Sequence, residues 1–120
     1  MKILITGGAG FIGSYLAQIL LHRGFCVIVY DSLKRSINVR MAKLNENGVK
    51  VIKGDIRSYD TLMNFLRERE VDIVIHLAAF VSVSESFRKP LVYFRNNGLG
   101  TAVVAEACRR ADVGRIVYAS

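Results

Sequence analysis

The stretch Thr6-Gly7-Gly8-Ala9-Gly10-Phe11-Ile12-Gly13 decides how this sequence folds. It follows a short β-branched run over residues 2–6 and leads into a segment where Ile12, Leu16, Ile19 and Leu20 recur at helical spacing, with Gly24 behind them as a stop. A strand, a tight glycine turn and a helix are therefore expected in direct succession. The four glycines satisfy two patterns at once, Gly8-x-Gly10-x-x-Gly13 and Gly7-x-x-Gly10-x-x-Gly13, and leave the register open. In either register one glycine permits the turn, Gly10 lets backbone approach a bound group, and Gly13 lets the helix pack closely on the sheet.

Outward from this turn the chain keeps alternating short apolar runs with longer helical-period segments. Further strands are expected over residues 26–30, 49–53, 72–77 and 115–119, each nearly continuously apolar, as in a parallel sheet covered on both faces. Helices are expected over residues 59–68, where Leu62, Phe65 and Leu66 share a side and Ser58 or Asp60 is the candidate cap, and over 37–44. A long helix starts at Pro90, the only proline, and runs to about Arg110 with Leu99, Val103 and Ala107 in one stripe. Right-handed crossovers then favour an α/β, Rossmann-type, doubly wound parallel sheet of five strands in order 3-2-1-4-5. Its ligand crevice lies above strands one and four.

The backbone N–H groups near Phe11 and Ile12 would face an anion at the helix N-terminus, the usual seat of a pyrophosphate. Asp31 ends strand two, 18 residues after Gly13, where a carboxylate accepts hydrogen bonds from adenosine ribose hydroxyls and repels a 2′-phosphate. Lys34 and Arg35 stand close by and are able to accommodate that phosphate instead. The balance favours NAD over NADP.

The 120 residues and an apolar fraction of 52% fit one domain, residues 1–120. The apolar run after Lys2 is too short for a signal peptide or a membrane span, so a soluble, cytoplasmic protein is expected. Cys26 and Cys108 have no metal-ligand spacing and read as buried thiols in a reducing compartment, and no metal site is expected. The net charge of +7 is scattered, with no basic run longer than two residues, which argues against nucleic acid.

Several of these segments together make the chain resemble the N-terminal part of the extended short-chain dehydrogenase/reductases, the NAD-dependent sugar-nucleotide epimerases and dehydratases. The glycine turn and Asp31-Ser32-Leu33 are similar to that family's glycine signature and acidic strand end. Gly54-Asp55-Ile56 resembles the turn that holds adenine, with Asp55 accepting from the exocyclic amine. His76-Leu77-Ala78-Ala79 resembles the strand-four end beside the cofactor riboses, and Asn96-Asn97-Gly98-Leu99-Gly100-Thr101 the Asn-rich part of the long helix. Val81-Ser82-Val83-Ser84-Glu85-Ser86 before Lys89-Pro90 looks most like the UDP-hexose 4-epimerases.

The resemblance implies a cofactor lining of Gly7, Gly10, Phe11, Ile12, Gly13, Asp31, Ser32, Leu33, Lys34, Arg35, Ser36, Asp55, Ile56, Leu77, Ala78, Ala79, Phe80, Val81 and Asn96. It also implies NAD as cofactor, a nucleotide-sugar substrate and a homodimer. Two departures stand out: Val81 replaces a lysine often found there, and Gly98 a more usual aliphatic residue. The implied reaction oxidises a sugar carbon, then returns the hydride to the other face of the keto intermediate. That chemistry needs a Ser or Thr just after strand five and a later Tyr-x-x-x-Lys, in which lysine lowers the pKa of the tyrosine base. Neither follows strand five here; Ser120 falls one residue before the expected serine. The sequence is thus expected to be the N-terminal part of a longer enzyme, inactive alone, with no catalytic residue of its own. The alternatives are a sugar-nucleotide 4,6-dehydratase, another epimerase or other extended short-chain reductase, and a non-catalytic NAD(H)-binding module.

Other residues carry plainer readings. His76 is expected to be a satisfied core histidine, Tyr93 and Phe94 packing residues, and Glu85 and Arg88 a surface pair one helical turn apart. The strand over 115–119 is expected to present an apolar edge that invites self-association, with the long helix offering a second sticky surface.

Overall fold

A computed structural model describes residues 1–35 and 38–119. Five parallel strands, β1 (Lys2–Thr6), β2 (Cys26–Asp31), β3 (Lys50–Lys53), β4 (Ile73–His76) and β5 (Arg115–Tyr118), form one sheet in order β3-β2-β1-β4-β5. This is the expected doubly wound order. The helices are α1 (Phe11–His22), α2 (Asn38–Glu46), α3 (Tyr59–Glu68), α4 (Val83–Arg88), α5 (Pro90–Tyr93) and α6 (Gly100–Arg110). Helix α2 begins at Asn38, and the expected start at Ile37 lies outside the described residues.

The continuous apolar strands divide their side chains by parity, as side chains alternate across a sheet. Ile3, Ile5, Val27 and Val29 point to one face and pack with Ala17 of α1, Leu44 of α2 and Val49. Leu4, Ile28, Tyr30 and Val74 point to the other and meet Leu62 and Leu66 of α3 and Val104, Ala107 and Cys108 of α6. Cys108 is buried as expected, and burial pushes its thiol up to about 11. Cys26 is exposed instead: it opens β2 at the rim of the sheet, where no helix covers it.

The long helix is interrupted. Between α5 and α6, residues Phe94–Leu99 form a π-helical turn with helical backbone at both junctions. This turn carries Asn96 and Asn97, and such turns are frequent at functional sites. Helix α4, with the Ser82 hydroxyl capping the N–H of Glu85, had been anticipated only as the one helical turn that separates Glu85 from Arg88. Among the described residues strand β5 pairs with β4 alone, and all four of its residues are exposed.

Candidate functional site

The tops of β1 and β4 frame a cleft of about 690 Å³, large enough for a nucleotide-sized ligand. Its floor is the glycine turn. Gly7 takes φ +69°, and a Cβ there would lie 2.8 Å from the Ala78 backbone, so only glycine lets β1 turn beside the end of β4. A Cβ on Gly13 would sit 2.6 Å from the Gly7 carbonyl and from Gly8 Cα. The register left open by the sequence resolves accordingly: Gly7, Gly10 and Gly13 line the cleft, while Gly8 abuts Val29 in the core behind it.

Helix α1 points its N-terminus into this floor. Gly10 provides no side-chain cap, and no acidic residue stands in the first turn, so the positive end of a 12-residue helix faces the cleft. Asp31 closes one side. Its Oδ2 accepts the Ala9 N–H at 3.0 Å and its Oδ1 the Leu33 N–H at 2.8 Å. These contacts fix the carboxylate against the glycine turn while leaving acceptor capacity on both oxygens. The first bond ties strand β2 to the turn, 22 residues away in the chain.

Sixteen of the expected lining residues meet here: Gly7, Gly10, Phe11, Ile12, Gly13, Asp31, Ser32, Arg35, Asp55, Ile56, Leu77, Ala78, Ala79, Phe80, Val81 and Asn96. Leu33 and Lys34 are not on its wall; Leu33, at φ +63°, turns back to pack on the α1 side of the core. Ser36 lies outside the described residues, as does Ser120.

Tyr30, Gly54, His76, Asn97, Thr101, Tyr118 and Ala119 also line the cleft without having been among the expected lining residues, although Gly54, His76, Asn97 and Thr101 stand in the segments that carry the resemblance. Of these, Asn97 had a legible signal in its adjacency to Asn96. Its Oδ1 accepts the Phe80 N–H and its Nδ2 donates to the Phe80 carbonyl, both at 2.9 Å, pinning the loop after β4 to the long helix.

Two carboxylates beside the cleft have arginine partners. The Asp55 carboxylate is gripped by the Arg57 guanidinium, with Nε and a terminal nitrogen 2.7–3.2 Å from its oxygens and the Arg57 N–H on Oδ1 at 2.9 Å. That pairing holds the carboxyl below its usual range. Glu85 pairs with Arg35 across the cleft mouth, not with Arg88, because α4 turns Glu85 toward the loop after β2. The Arg35 guanidinium also lies 4.1 Å from the centre of the Phe80 ring.

Tyr93 is buried and meets Phe80 edge-on at 5.6 Å, so it packs as expected, whereas Phe94 is 73% exposed. The Tyr30 hydroxyl, buried in the wall between β2 and Gly54, has no hydrogen-bond partner among the described residues.

His76 is the satisfied core residue that was expected, 2% exposed. Thr101 donates its hydroxyl proton to the Asn97 carbonyl at 2.6 Å and so accepts from His76 Nε2–H at 2.8 Å. Thr6 Oγ1 accepts the Leu77 and Ala78 N–H groups and donates to His76 Nδ1 at 2.6 Å. Every proton in this chain is placed only if the ring is neutral, and burial lowers its pKa from the ordinary 6.5. Since the unfolded chain then binds a proton more readily, stability is full above the ordinary histidine value and is lost as pH falls through the folded one. Thermal unfolding between pH ~7.5 and ~5.5 should therefore show a midpoint falling with acidification, and the fall should flatten in His76→Gln.

A doubly wound sheet with a glycine-floored cleft above β1 and β4 defines a Rossmann-type α/β protein. The chain belongs to the GDP-mannose 4,6 dehydratase family, whose model matches residues 4–120. It is 40% identical over 122 residues to UDP-glucose 4-epimerase of Neisseria meningitidis serogroup C, covering 99% of this chain and 36% of that protein. It is 38% identical over 123 residues to UDP-glucose 4-epimerase of Klebsiella pneumoniae, covering 100% of this chain and 88% of that one. Among solved structures, UDP-glucose-4-epimerase from Stenotrophomonas maltophila, with bound NAD and formylated UDP-arabinopyranose, superposes with a TM-score of 0.95. Identity there is 33%, over all of this chain and 37% of that one. The chain thus spans about a third of the Neisseria and Stenotrophomonas proteins. Among the described residues no helix is long and apolar enough to cross a membrane.

Proposed function

We propose that residues 1–120 are the NAD-binding domain of a UDP-glucose 4-epimerase, an isomerase that interconverts UDP-glucose and UDP-galactose through a transient 4-keto sugar. The observation that carries this reading is the cleft itself, in which the uncapped N-terminus of α1, the Gly7–Gly10–Gly13 floor and the fixed Asp31 carboxylate converge. These features suit a dinucleotide: the helix end and turn amides would take the pyrophosphate, and Asp31 the adenosine ribose hydroxyls. Asp55, Ile56 and the buried Tyr30 hydroxyl would border the adenine, and Leu77 to Val81 with Asn96 the far ribose. Leu33, Lys34 and Ser36 remain in the proposed contact set through their place in the loop after Asp31. The nicotinamide ring, when bound, supplies the hydride acceptor; the residues of this chain bind and orient the cofactor.

The names of the similar proteins support the substrate class, since those epimerases carry this same domain. The proposal extends to a cytoplasmic enzyme that works as a homodimer. A sugar-nucleotide 4,6-dehydratase is the second reading, favoured by the name of the matching family model.

Calorimetric titration of the chain tests the cofactor. NAD should bind more tightly than NADP, and Asp31→Ala should weaken NAD by about 1–3 kcal/mol through lost ribose hydrogen bonds while sparing NADP. NADP binding as tight as NAD would remove Asp31 from its proposed role, and no binding of either nucleotide would overturn the reading.

A further inference from the structure

The sequence leaves one question at the ribose edge of the cleft: a carboxylate, Asp31, that disfavours a 2′-phosphate stands four residues from a cation, Arg35, that would welcome one. The structure shows where the cation goes. Arg35 leaves the loop after β2 and crosses the cleft mouth to the opposite wall, where its guanidinium meets the Glu85 carboxylate of α4 and covers the Phe80 ring at 4.1 Å. An exposed ion pair holds a long side chain only weakly. Here both partners of the pair are held in place.

The ring beneath the guanidinium adds a cation–π contact, and Phe80 is itself fixed, its backbone clamped by Asn97 and its ring packed on buried Tyr93. Glu85 is fixed as well, its N–H donating to the Ser82 hydroxyl that caps α4. Only 23% of the Glu85 side chain is exposed, against 49% of Arg35. Besides Arg35, Glu85 interacts with the Lys89 charge and with the Tyr93 hydroxyl.

We infer that Glu85 is a specificity-determining residue: by occupying the Arg35 guanidinium, it withholds from the ribose edge the group best shaped to take a 2′-phosphate, and so preserves selection of NAD. An unoccupied guanidinium four residues beyond Asp31 in the loop after β2 would offer a phosphate two parallel hydrogen bonds and offset the carboxylate's repulsion. The inference rests on the NAD reading of the cleft, and it assigns a discriminating role to a residue that contacts no part of the cofactor directly. Glu85 acts through Arg35.

The test is calorimetric titration of the whole chain with NAD and with NADP, in the unmodified protein, in Glu85→Ala and in the double variant Arg35→Ala/Glu85→Ala. Glu85→Ala should leave NAD affinity unchanged and tighten NADP by about tenfold, the scale of one or two hydrogen bonds to a charged group. The double variant should lose that gain, which a merely structural role of Glu85 would not produce. If NAD binds normally and NADP does not tighten in Glu85→Ala, or if both nucleotides change by the same factor, the role given to Glu85 is overturned while the NAD reading stands. If the gain persists without Arg35, the assignment to this pair is wrong. Binding of neither nucleotide by the unmodified chain would overturn the NAD reading and the role of Glu85 together.

Discussion

Incubated with UDP-glucose or UDP-galactose and added NAD, the 120-residue chain should give no measurable epimerisation. The reaction needs a base at the sugar hydroxyl with a lysine to lower its pKa, and although Tyr118 lines the cleft, stacked on His76, no lysine is among the residues lining it. One segment has the formal spacing: Tyr30-Asp31-Ser32-Leu33-Lys34 reads as Tyr-x-x-x-Lys. Yet Tyr30 lies in strand β2, 1% exposed, with its ring against Phe65 and Gly54, and Lys34 is off the cleft wall. Burial and the neighbouring Asp55 both raise the Tyr30 pKa, the opposite of what a base requires. Loss of a general base alone removes a factor of about 10²–10⁴, and loss of substrate positioning removes more. The assay is a coupled measurement of UDP-glucose formed from UDP-galactose, with a preparation shown to be free of host epimerase. Turnover abolished by Tyr30→Phe would show that a base had been found where the structure places a core residue.

Gly13→Ala should destabilise the chain by about 1–3 kcal/mol, because the new methyl would press on backbone that has no room to yield. Its Cβ would stand 2.6 Å from the Gly7 carbonyl and from Gly8 Cα, so either α1 lifts from the sheet or the turn opens. In both cases the floor of the cleft is displaced. A melting-temperature drop of several degrees is expected for a domain of this size, together with weakened NAD binding. Gly98→Ala is the matched control. There the methyl would meet only the Phe94 ring at 3.6 Å, an ordinary contact, and a helical glycine is replaced, so stability should rise by about 0.5–1 kcal/mol. Equal effects at the two positions would show that glycine content, not the close approach of α1 to the turn, governs stability here.

These predictions mark how far the sequence could be read. The sheet order was legible because each strand is an apolar run with a helix-length segment behind it, and right-handed crossovers leave few ways to join them. Most of the cleft wall was legible for a related reason. In a doubly wound fold ligand residues follow strand ends, so the residues after Thr6, Tyr30, Lys53 and His76 could be named from their position in the chain. What failed was pairing between segments. Glu85 was matched with Arg88 from their spacing on one helix, but the direction in which α4 projects from the loop after β4 gives Glu85 to Arg35.

The sequence by itself determined the architecture, the glycine-floored crevice and the carboxylate at its rim, because backbone conformation at glycine and side-chain alternation along strands are local properties. Only the tertiary structure decided which glycine faces the cleft, since Gly8 is distinguished from Gly7 and Gly10 by the Val29 side chain of a different strand. It also decided that His76 is neutral, through hydroxyls contributed by β1 and α6, and that Arg35 spans the cleft to Glu85. Each of these turns on distances between residues remote in the chain, which depend on how the elements pack and are not encoded in any single segment.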